Sequence, residues 1–193
     1  LKPAADSTGN RIFPVARNTS ELIVTVIGGS GFVGRHIVRA LAKRGYRVRV
    51  ACRRPDLAGH VQPLGVPGQI MPVQANVRFP ASLAAACADA FAVIYLPSTF
   101  DSSQFEALNV FGAGAAAKAA RAAGAQVYIQ ASAIGADLNS ASGYGRTKAE
   151  GEAAAKVAFP GAIMLRPSIV FGPEDKFFNK FAEMARFSPA LPL

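Results

Sequence analysis

The chain has 193 residues, of which 51% are apolar and 17% are charged, and this composition supplies a buried core and excludes a disordered chain. Two isolated cysteines exclude a disulfide framework, and no apolar run approaches the roughly 20 residues that span a bilayer. Lys and Arg exceed Asp and Glu by 21 to 12, a formal net charge of +9. This excess favours an anionic partner, although the same side chains could equally serve to solvate the surface.

The chain begins with an irregular arm over residues 1–21 and then alternates β-branched segments with amphipathic or Ala-rich ones. This alternation predicts an α/β fold, a doubly wound parallel sheet of the Rossmann type with right-handed crossovers. The strands are predicted at 22–27, 46–52, 70–75, 90–96, 125–133 and 162–168. The helices are predicted at 32–44, 82–89, 102–123 and 143–158.

The last segment, 175–187, has apolar side chains at helical spacing. It predicts a helix whose apolar side either packs against a further domain or faces a partner or lipid. The side chains of this stripe are Phe177, Phe178, Phe181, Met184 and Phe187.

Glycines between the first strand and the first helix predict a dinucleotide site. Two patterns overlap: Gly29, Gly31 and Gly34 fit G-x-G-x-x-G, and Gly28, Gly31 and Gly34 fit G-x-x-G-x-x-G. In either register, glycines permit a sharp turn, a close approach of pyrophosphate and tight helix–strand packing. The helix that begins near Phe32 directs its free N–H groups at the phosphates.

The end of the second strand predicts which dinucleotide is bound. An NAD site usually has an acidic residue there, whereas this strand ends "ACRRPD", with Cys52 followed by Arg53 and Arg54, and with Asp56 only beyond a proline. A guanidinium can bind a 2′-phosphate with two hydrogen bonds, which a carboxylate would repel. The sequence therefore predicts NADP(H), and Arg35 could add to the phosphate site.

Three further residues form a pattern typical of proton transfer. Tyr144 and Lys148 are four residues apart and share a helical face, and Ser132 lies twelve residues before Tyr144. Ser132 would hydrogen-bond a substrate carbonyl and Tyr144 would exchange the proton. Lys148 would hold the nicotinamide ribose and lower the pKa of the tyrosine.

The glycine turn with Ser132, Tyr144 and Lys148 resembles the extended or atypical short-chain dehydrogenase/reductase family. Within that family, "GGSGFVGRHIVRALAKRGYRVRVACRRPD", "YGRTKAEGE" and "LRPSIVFGPEDKFFNKFAEMARFSPALPL" are similar to the NADPH-binding accessory subunits of respiratory complex I and to their bacterial relatives. The similarity extends from Leu22 to the last residue. It implies a Rossmann domain over 22–172 and only the start of a smaller substrate-type or partner-docking region over 173–193.

This resemblance implies a structural subunit that retains NADPH without turning it over and that contacts other subunits of complex I. It implies a place peripheral to the mitochondrial inner membrane on the matrix side, or on the cytoplasmic face of a bacterial inner membrane, with no metal and no nucleic acid bound. The residues that it assigns to the cofactor are Gly28, Ser30, Gly31, Phe32, Val33 and Gly34 for the pyrophosphate, Arg53 and Arg54 for the 2′-phosphate, Asn76 and Val77 for the adenine, and Ser132, Tyr144, Lys148, Pro167 and Ile169 for the nicotinamide side.

Two other functions stay open on the residues alone. A free NADP-dependent reductase or epimerase would use Ser132, Tyr144 and Lys148 in catalysis, and the same residues also position a retained cofactor. An RNA-binding or assembly protein is compatible with the positive charge, but no aromatic-rich basic strip favours it.

Overall fold

A computed structural model of the chain describes residues 18–175, together with 179, 183, 184 and 186. Strands and helices alternate along it, as the sequence predicts. The strands are β1 (Ile23–Ile27), β2 (Arg47–Cys52), β3 (Ile70–Gln74), β4 (Ala92–Tyr95), β5 (Val127–Ala131) and β6 (Ile163–Leu165). The helices are α1 (Phe32–Lys43), α2 (Pro80–Cys87), α3 (Gly112–Ala122) and α4 (Gly143–Ala158).

The six strands form one sheet in the order β3-β2-β1-β4-β5-β6, and every pair is parallel. Val24 of β1 lies opposite Val48 of β2 on one side and Ala92 of β4 on the other. The prediction of a doubly wound parallel sheet is confirmed. Since the order reverses between β1 and β4, a crevice opens at their carboxyl ends, where ligands bind in such sheets.

Each face of the sheet carries its own apolar core, because successive strand residues point to opposite faces. Val38 and Ala42 of α1 pack on one face, together with valines of β1 and β2. On the other face, the small side chains of α3 and the buried Leu83 of α2 pack with Val93 and Tyr128. The Ala-rich composition of the second half therefore serves close packing of helices on the sheet.

Pro72 lies in β3, which is an edge strand, the place where a sheet tolerates proline. Two hydrogen bonds connect this segment to β2: the Ala75 amide donates to Cys52 O, and the Val48 amide donates to Gln69 O. Odd-numbered residues of this segment therefore face β2. The missing N–H of Pro72 points outwards, where no ladder bond is lost.

The helix predicted over 82–89 begins two residues earlier and ends at Cys87. Pro80 occupies its first turn, where the absent N–H has no helical partner in any case. Ala88 is extended and Asp89 has a φ of 57°, so the chain leaves the helix there.

The segment predicted as a helix over 102–123 is helical, but its first half is not a regular α-helix. Ser102–Gln104 forms a 3-10 turn and Glu106–Phe111 a π-helical turn, and the regular helix α3 begins only at Gly112. We attribute the wide turn to two tertiary contacts that helix propensity does not contain. The hydroxyl of the buried Tyr95 donates to the Leu108 carbonyl at 2.6 Å, and α4 approaches so closely that a Cβ at Gly151 would overlap the Asn109 carbonyl.

Parts of the predicted termini lie outside the described residues. Of the arm, only the 3-10 turn Thr19–Glu21 and its cap Asn18 are described. Of the aromatic stripe, Phe177, Phe178, Phe181 and Phe187 lie outside the description. Among the helices that the structure describes, none is long and apolar enough to cross a membrane.

Candidate functional site

The turn between β1 and α1 requires glycine at two positions. Gly28 has a φ of 81°, in the left-handed region that glycine adopts without strain, and its amide donates to Ala51 O at 2.8 Å. A Cβ at Gly34 would overlap the Gly28 carbonyl and lie 2.6 Å from Gly29 Cα. These two glycines therefore allow the turn and hold α1 against it.

Helix α1 directs its amino end at the carboxyl edge of the sheet. Gly31 is its N-cap, and the first helical hydrogen bond runs from the Arg35 amide to Gly31 O at 3.0 Å. The amides of Phe32, Val33 and Gly34 therefore have no partner within the helix. No acidic residue lies in the first turn, so the positive end of the helix is available to an anion.

A cleft of about 660 Å³ lies in front of this turn, at the carboxyl ends of the first four strands. Ten of the predicted cofactor residues line it. They are Gly28, Ser30, Gly31, Phe32, Val33, Gly34, Arg53, Arg54, Asn76 and Val77.

The charges along the cleft have one sign. Arg53, Arg54 and Arg78 line it together with His60, and its lining contains no Asp or Glu. A cleft of this kind attracts a ligand with several negative charges. Directly after β2, the described chain has no unpaired carboxylate that could accept hydrogen bonds from a ribose.

The two predicted arginines differ in their surroundings. Arg54 donates from Nε to Asp56 Oδ1 at 3.0 Å and from Nη2 to Oδ2 at 2.6 Å. The hydrogen bonds from Arg54 lower the pKa of the Asp56 carboxyl, and the carboxylate raises the pKa of the guanidinium. Arg53 is exposed and forms no ion pair with the residues that the structure describes.

His60 and Arg78 line the cleft although no sequence motif predicts either of them. His60 lies in the 3-10 segment Gly59–Leu64, and its two ring nitrogens lie 3.2 Å from Leu57 O and 3.1 Å from Ser30 O, so the ring covers the glycine turn. No pattern in the sequence connects residues that are 30 positions apart. Arg78 directly follows the predicted pair of adenine residues, and that adjacency was the only available signal.

Asn76 shapes the cleft at the end of β3. Its backbone amide donates to Ser82 Oγ at 3.0 Å, and its side-chain oxygen accepts from the Arg78 backbone amide at 3.1 Å. Val77 beside it is buried. These bonds fix the turn that carries Arg78 to the cleft.

Lys148 is buried at the carboxyl end of β5. Its ammonium donates to Ala131 O at 2.8 Å. Burial lowers the pKa of this lysine to about 8, although the nearby Glu152 carboxylate opposes the shift. The lysine is thus held in one position, and burial makes its proton easier to remove than that of an exposed lysine.

Glu152 and Arg166 hold α4 to the chain after β6. The guanidinium donates from Nε and Nη2 to the two carboxylate oxygens at 2.8 and 2.7 Å. Burial raises the pKa of Glu152, but the bonds and charge of Arg166, together with Ser132 and the charge of Lys156, outweigh burial and lower the pKa overall. The Ser132 hydroxyl is buried without a well-formed hydrogen bond, yet it lies close enough to Glu152 to add to this lowering.

Tyr144 lies at the far end of the cleft. Its ring packs against Phe100 and Phe105, with centroid distances of 5.1 and 5.9 Å. Its hydroxyl lies 3.4 Å from Oγ of Ser98, which lines the cleft. Tyr144 itself is not part of the cleft lining, and the contact with Ser98 places its hydroxyl beside the end of the cleft near β4.

The remaining predicted residues lie outside the cleft lining. Pro167 accepts from the Ile134 amide at 3.0 Å beyond the end of β6, and Ile169 is 63% exposed. Ser132 and Lys148 are likewise absent from the lining. Arg35 is also absent from the lining: its Nε donates to Gly31 O at 3.5 Å and its Nη1 pairs with Glu174 at 3.7 Å.

The strand order, the glycine turn and the basic cleft define a dinucleotide-binding domain of the Rossmann type. A family model described as NAD(P)H-binding matches residues 28–158, from the glycine turn to the end of α4. The chain belongs to this NAD(P)H-binding family.

Two curated relatives are similar over most of the chain. The mitochondrial protein named NADH dehydrogenase (ubiquinone) 1 alpha subcomplex subunit 9 of Dictyostelium discoideum is 34% identical, over 90% of this chain and 49% of its own. A ceramide reductase of Caulobacter vibrioides is 36% identical, over 89% of this chain and 53% of its own. The chain thus spans about half the length of these relatives.

A solved structure shares the fold. A short-chain dehydrogenase/reductase superfamily protein from Agrobacterium tumefaciens with bound NAD superimposes with a TM-score of 0.63 and 27% identity, covering 75% of this chain and 48% of that one. The predicted resemblance to the short-chain dehydrogenase/reductase family is confirmed for the NAD(P)-binding domain.

Proposed function

We propose that this domain holds NADPH as a retained cofactor and belongs to an accessory subunit of respiratory complex I. The observation that carries the cofactor assignment is the cleft: a glycine turn, a helix amino end and three arginines, with no carboxylate in the lining. Pyrophosphate and a 2′-phosphate together supply the negative charge that such a cleft favours.

Arg53 is the residue that favours NADPH over NADH in this proposal. It follows β2, at the place where NAD sites carry an acidic residue, and its guanidinium has no ion-pair partner in the described part of the chain. Arg54 assists it. Asn76 and Val77 then border the adenine, and Ser132, Tyr144, Lys148, Pro167 and Ile169 form the nicotinamide side.

Membership of complex I rests on the similarity to a relative that carries the name of a complex I subunit. The resemblance runs into the tail "FGPEDKFFNKFAEMARF", beyond the part that a nucleotide site requires. The proposed place is the matrix side of the mitochondrial inner membrane, peripheral to the bilayer and in contact with other complex I subunits. In a bacterial source the corresponding place is the cytoplasmic face of the inner membrane.

A free NADP-dependent reductase is the second candidate, favoured by the surroundings of Lys148 and Tyr144. A lysine with a lowered pKa and a tyrosine hydroxyl at the end of the cleft are suited to proton transfer to a carbonyl. The ceramide reductase relative gives this candidate a precedent.

Substitution of Tyr144 by Phe separates the two candidates. The tagged full-length protein and its Y144F variant are purified from membranes with mild detergent. A structural subunit predicts that both co-purify with complex I and retain nucleotide equally, since only a hydroxyl is lost. Recovery of the parent protein as a free species, with a carbonyl-reducing activity that Y144F lacks, would instead establish the reductase.

A further inference from the structure

The contact between Arg54 and Asp56 bears on nucleotide choice. The carboxylate takes two donors of the guanidinium, Nε at 3.0 Å and Nη2 at 2.6 Å, and both residues border or adjoin the cleft after β2. That Nε–Nη2 edge is the two-donor fork with which an arginine binds a phosphate. In this structure the fork is occupied by a side chain two residues away.

Asp56 also places a negative charge next to the position of the proposed 2′-phosphate. Its side chain is 56% exposed and that of Arg54 is 68% exposed, so water screens the pair and a ligand can reach it. A phosphate that approaches Arg54 must therefore displace the carboxylate from the fork or remain beside it. Either course weakens binding, since like charges repel and a formed ion pair is lost.

We propose that Asp56 is a specificity-determining residue, which by occupying the donor fork of Arg54 weakens binding of the 2′-phosphate and reduces the preference of the cleft for NADPH over NADH. This inference rests on the proposed cofactor site. Arg53 provides the free guanidinium for the phosphate, and Arg54 contributes only in the fraction of molecules in which Asp56 releases it.

Glu21 offers a matched control for the loss of one negative charge. It is exposed and lies just before β1, at the amino end of the strands and thus at the opposite edge of the sheet from the cleft. Glu21→Gln changes the net charge by the same amount as Asp56→Asn. It leaves the fork of Arg54 untouched.

The test is calorimetric titration of the full-length protein and its variants with NADPH and with NADH at low ionic strength. Asp56→Asn is expected to tighten NADPH binding about three- to tenfold. The ratio of the NADH to the NADPH dissociation constant should rise accordingly, while E21Q leaves that ratio unchanged. In an Arg54→Ala background, D56N should lose most of its effect.

Three results would overturn the inference in distinguishable ways. If the parent protein binds NADPH and D56N leaves the ratio of dissociation constants unchanged, the role of Asp56 is wrong while the cofactor site stands. If the parent protein binds neither nucleotide, the proposed cofactor site is itself wrong, and the role of Asp56 with it. If the ratio of dissociation constants rises equally in D56N and E21Q, the effect comes from net charge alone and the role of Asp56 is wrong.

Discussion

At the scale of single residues, the site depends on how each charge is compensated. Arg53 is left without an ion-pair partner among the described residues, Arg54 is engaged by Asp56, and the buried Lys148 is held by a carbonyl and lies near Glu152. The first two arrangements concern the proposed recognition of the 2′-phosphate. The third concerns the cost of burying a cation, which is partly relieved when the proton leaves.

Replacement of Arg53 should separate the two nucleotides. Arg53→Ala removes the free guanidinium, and a lost charge-assisted bond costs about 1.5–3 kcal/mol, which is about 10- to 150-fold in affinity. We expect that loss for NADPH and little change for NADH in fluorescence titrations. Arg39→Ala, an exposed arginine on α1 outside the cleft lining, is the control. Equal losses for both nucleotides would contradict the assignment of the 2′-phosphate to Arg53.

The buried lysine predicts a pH dependence of stability. The pKa of Lys148 is lowered from 10.5 to about 8 in the folded state, so between these values the unfolded chain binds more protons than the folded one. The free energy of unfolding therefore rises with pH across that interval. At lower pH the folded state is less stable, because the buried lysine must then carry a proton. Between pH 7.5 and 10, the free energy of unfolding of the parent should rise by about 2–3 kcal/mol relative to that of the Lys148→Met variant. Denaturant titrations at several pH values measure the difference, and a flat difference would contradict the burial of the charge.

At the scale of elements, β1, the glycine turn and α1 act as one unit. The left-handed φ of Gly28 turns the chain, and the missing Cβ of Gly34 lets α1 approach until its amino end meets the cleft. On the proposed cofactor site, nucleotide binding and helix packing thus depend on the same two positions.

Gly34→Ala tests this unit. The added methyl group would overlap the Gly28 carbonyl, so α1 must shift, and we expect a loss of about 1–3 kcal/mol in stability with loss of nucleotide binding. Gly59→Ala is the matched control, since a Cβ there meets nothing within 4 Å and its φ is not left-handed. Thermal unfolding with and without NADPH reads out both effects. Unchanged binding in G34A would contradict the close approach.

The sequence predicts an element well when neighbouring residues determine it, and poorly when contacts from distant parts of the chain do. Helix α4 matches its predicted range, 143–158, because local spacing determines it. The segment 102–111 is helical as predicted, but its 3-10 and π-helical turns do not follow from local sequence, because Tyr95 and Gly151 shape them from elsewhere in the fold. In the site, the glycine turn and Arg53 follow from local motifs. The contact of His60 with the Ser30 carbonyl depends on tertiary structure and has no local signal.

At the scale of the whole molecule, the unit that carries the glycine turn is strongly positive, and two of its basic residues, Arg53 and Arg54, line the cleft. Residues 22–55, which form the β1-α1-β2 unit, contain eight Lys or Arg and no Asp or Glu. A retained polyanion would offset part of that repulsion and would stabilise the fold by mass action. The cofactor is on this account a part of the folded structure.

The central claim is that NADPH stays bound to this chain within complex I. Native mass spectrometry of the detergent-extracted, extensively washed assembly tests it most directly, since it reports the subunits and the bound nucleotide together. The account predicts the full-length protein in a complex I particle with one NADPH per copy. A free protein without nucleotide, or one carrying NADH in place of NADPH, would contradict it.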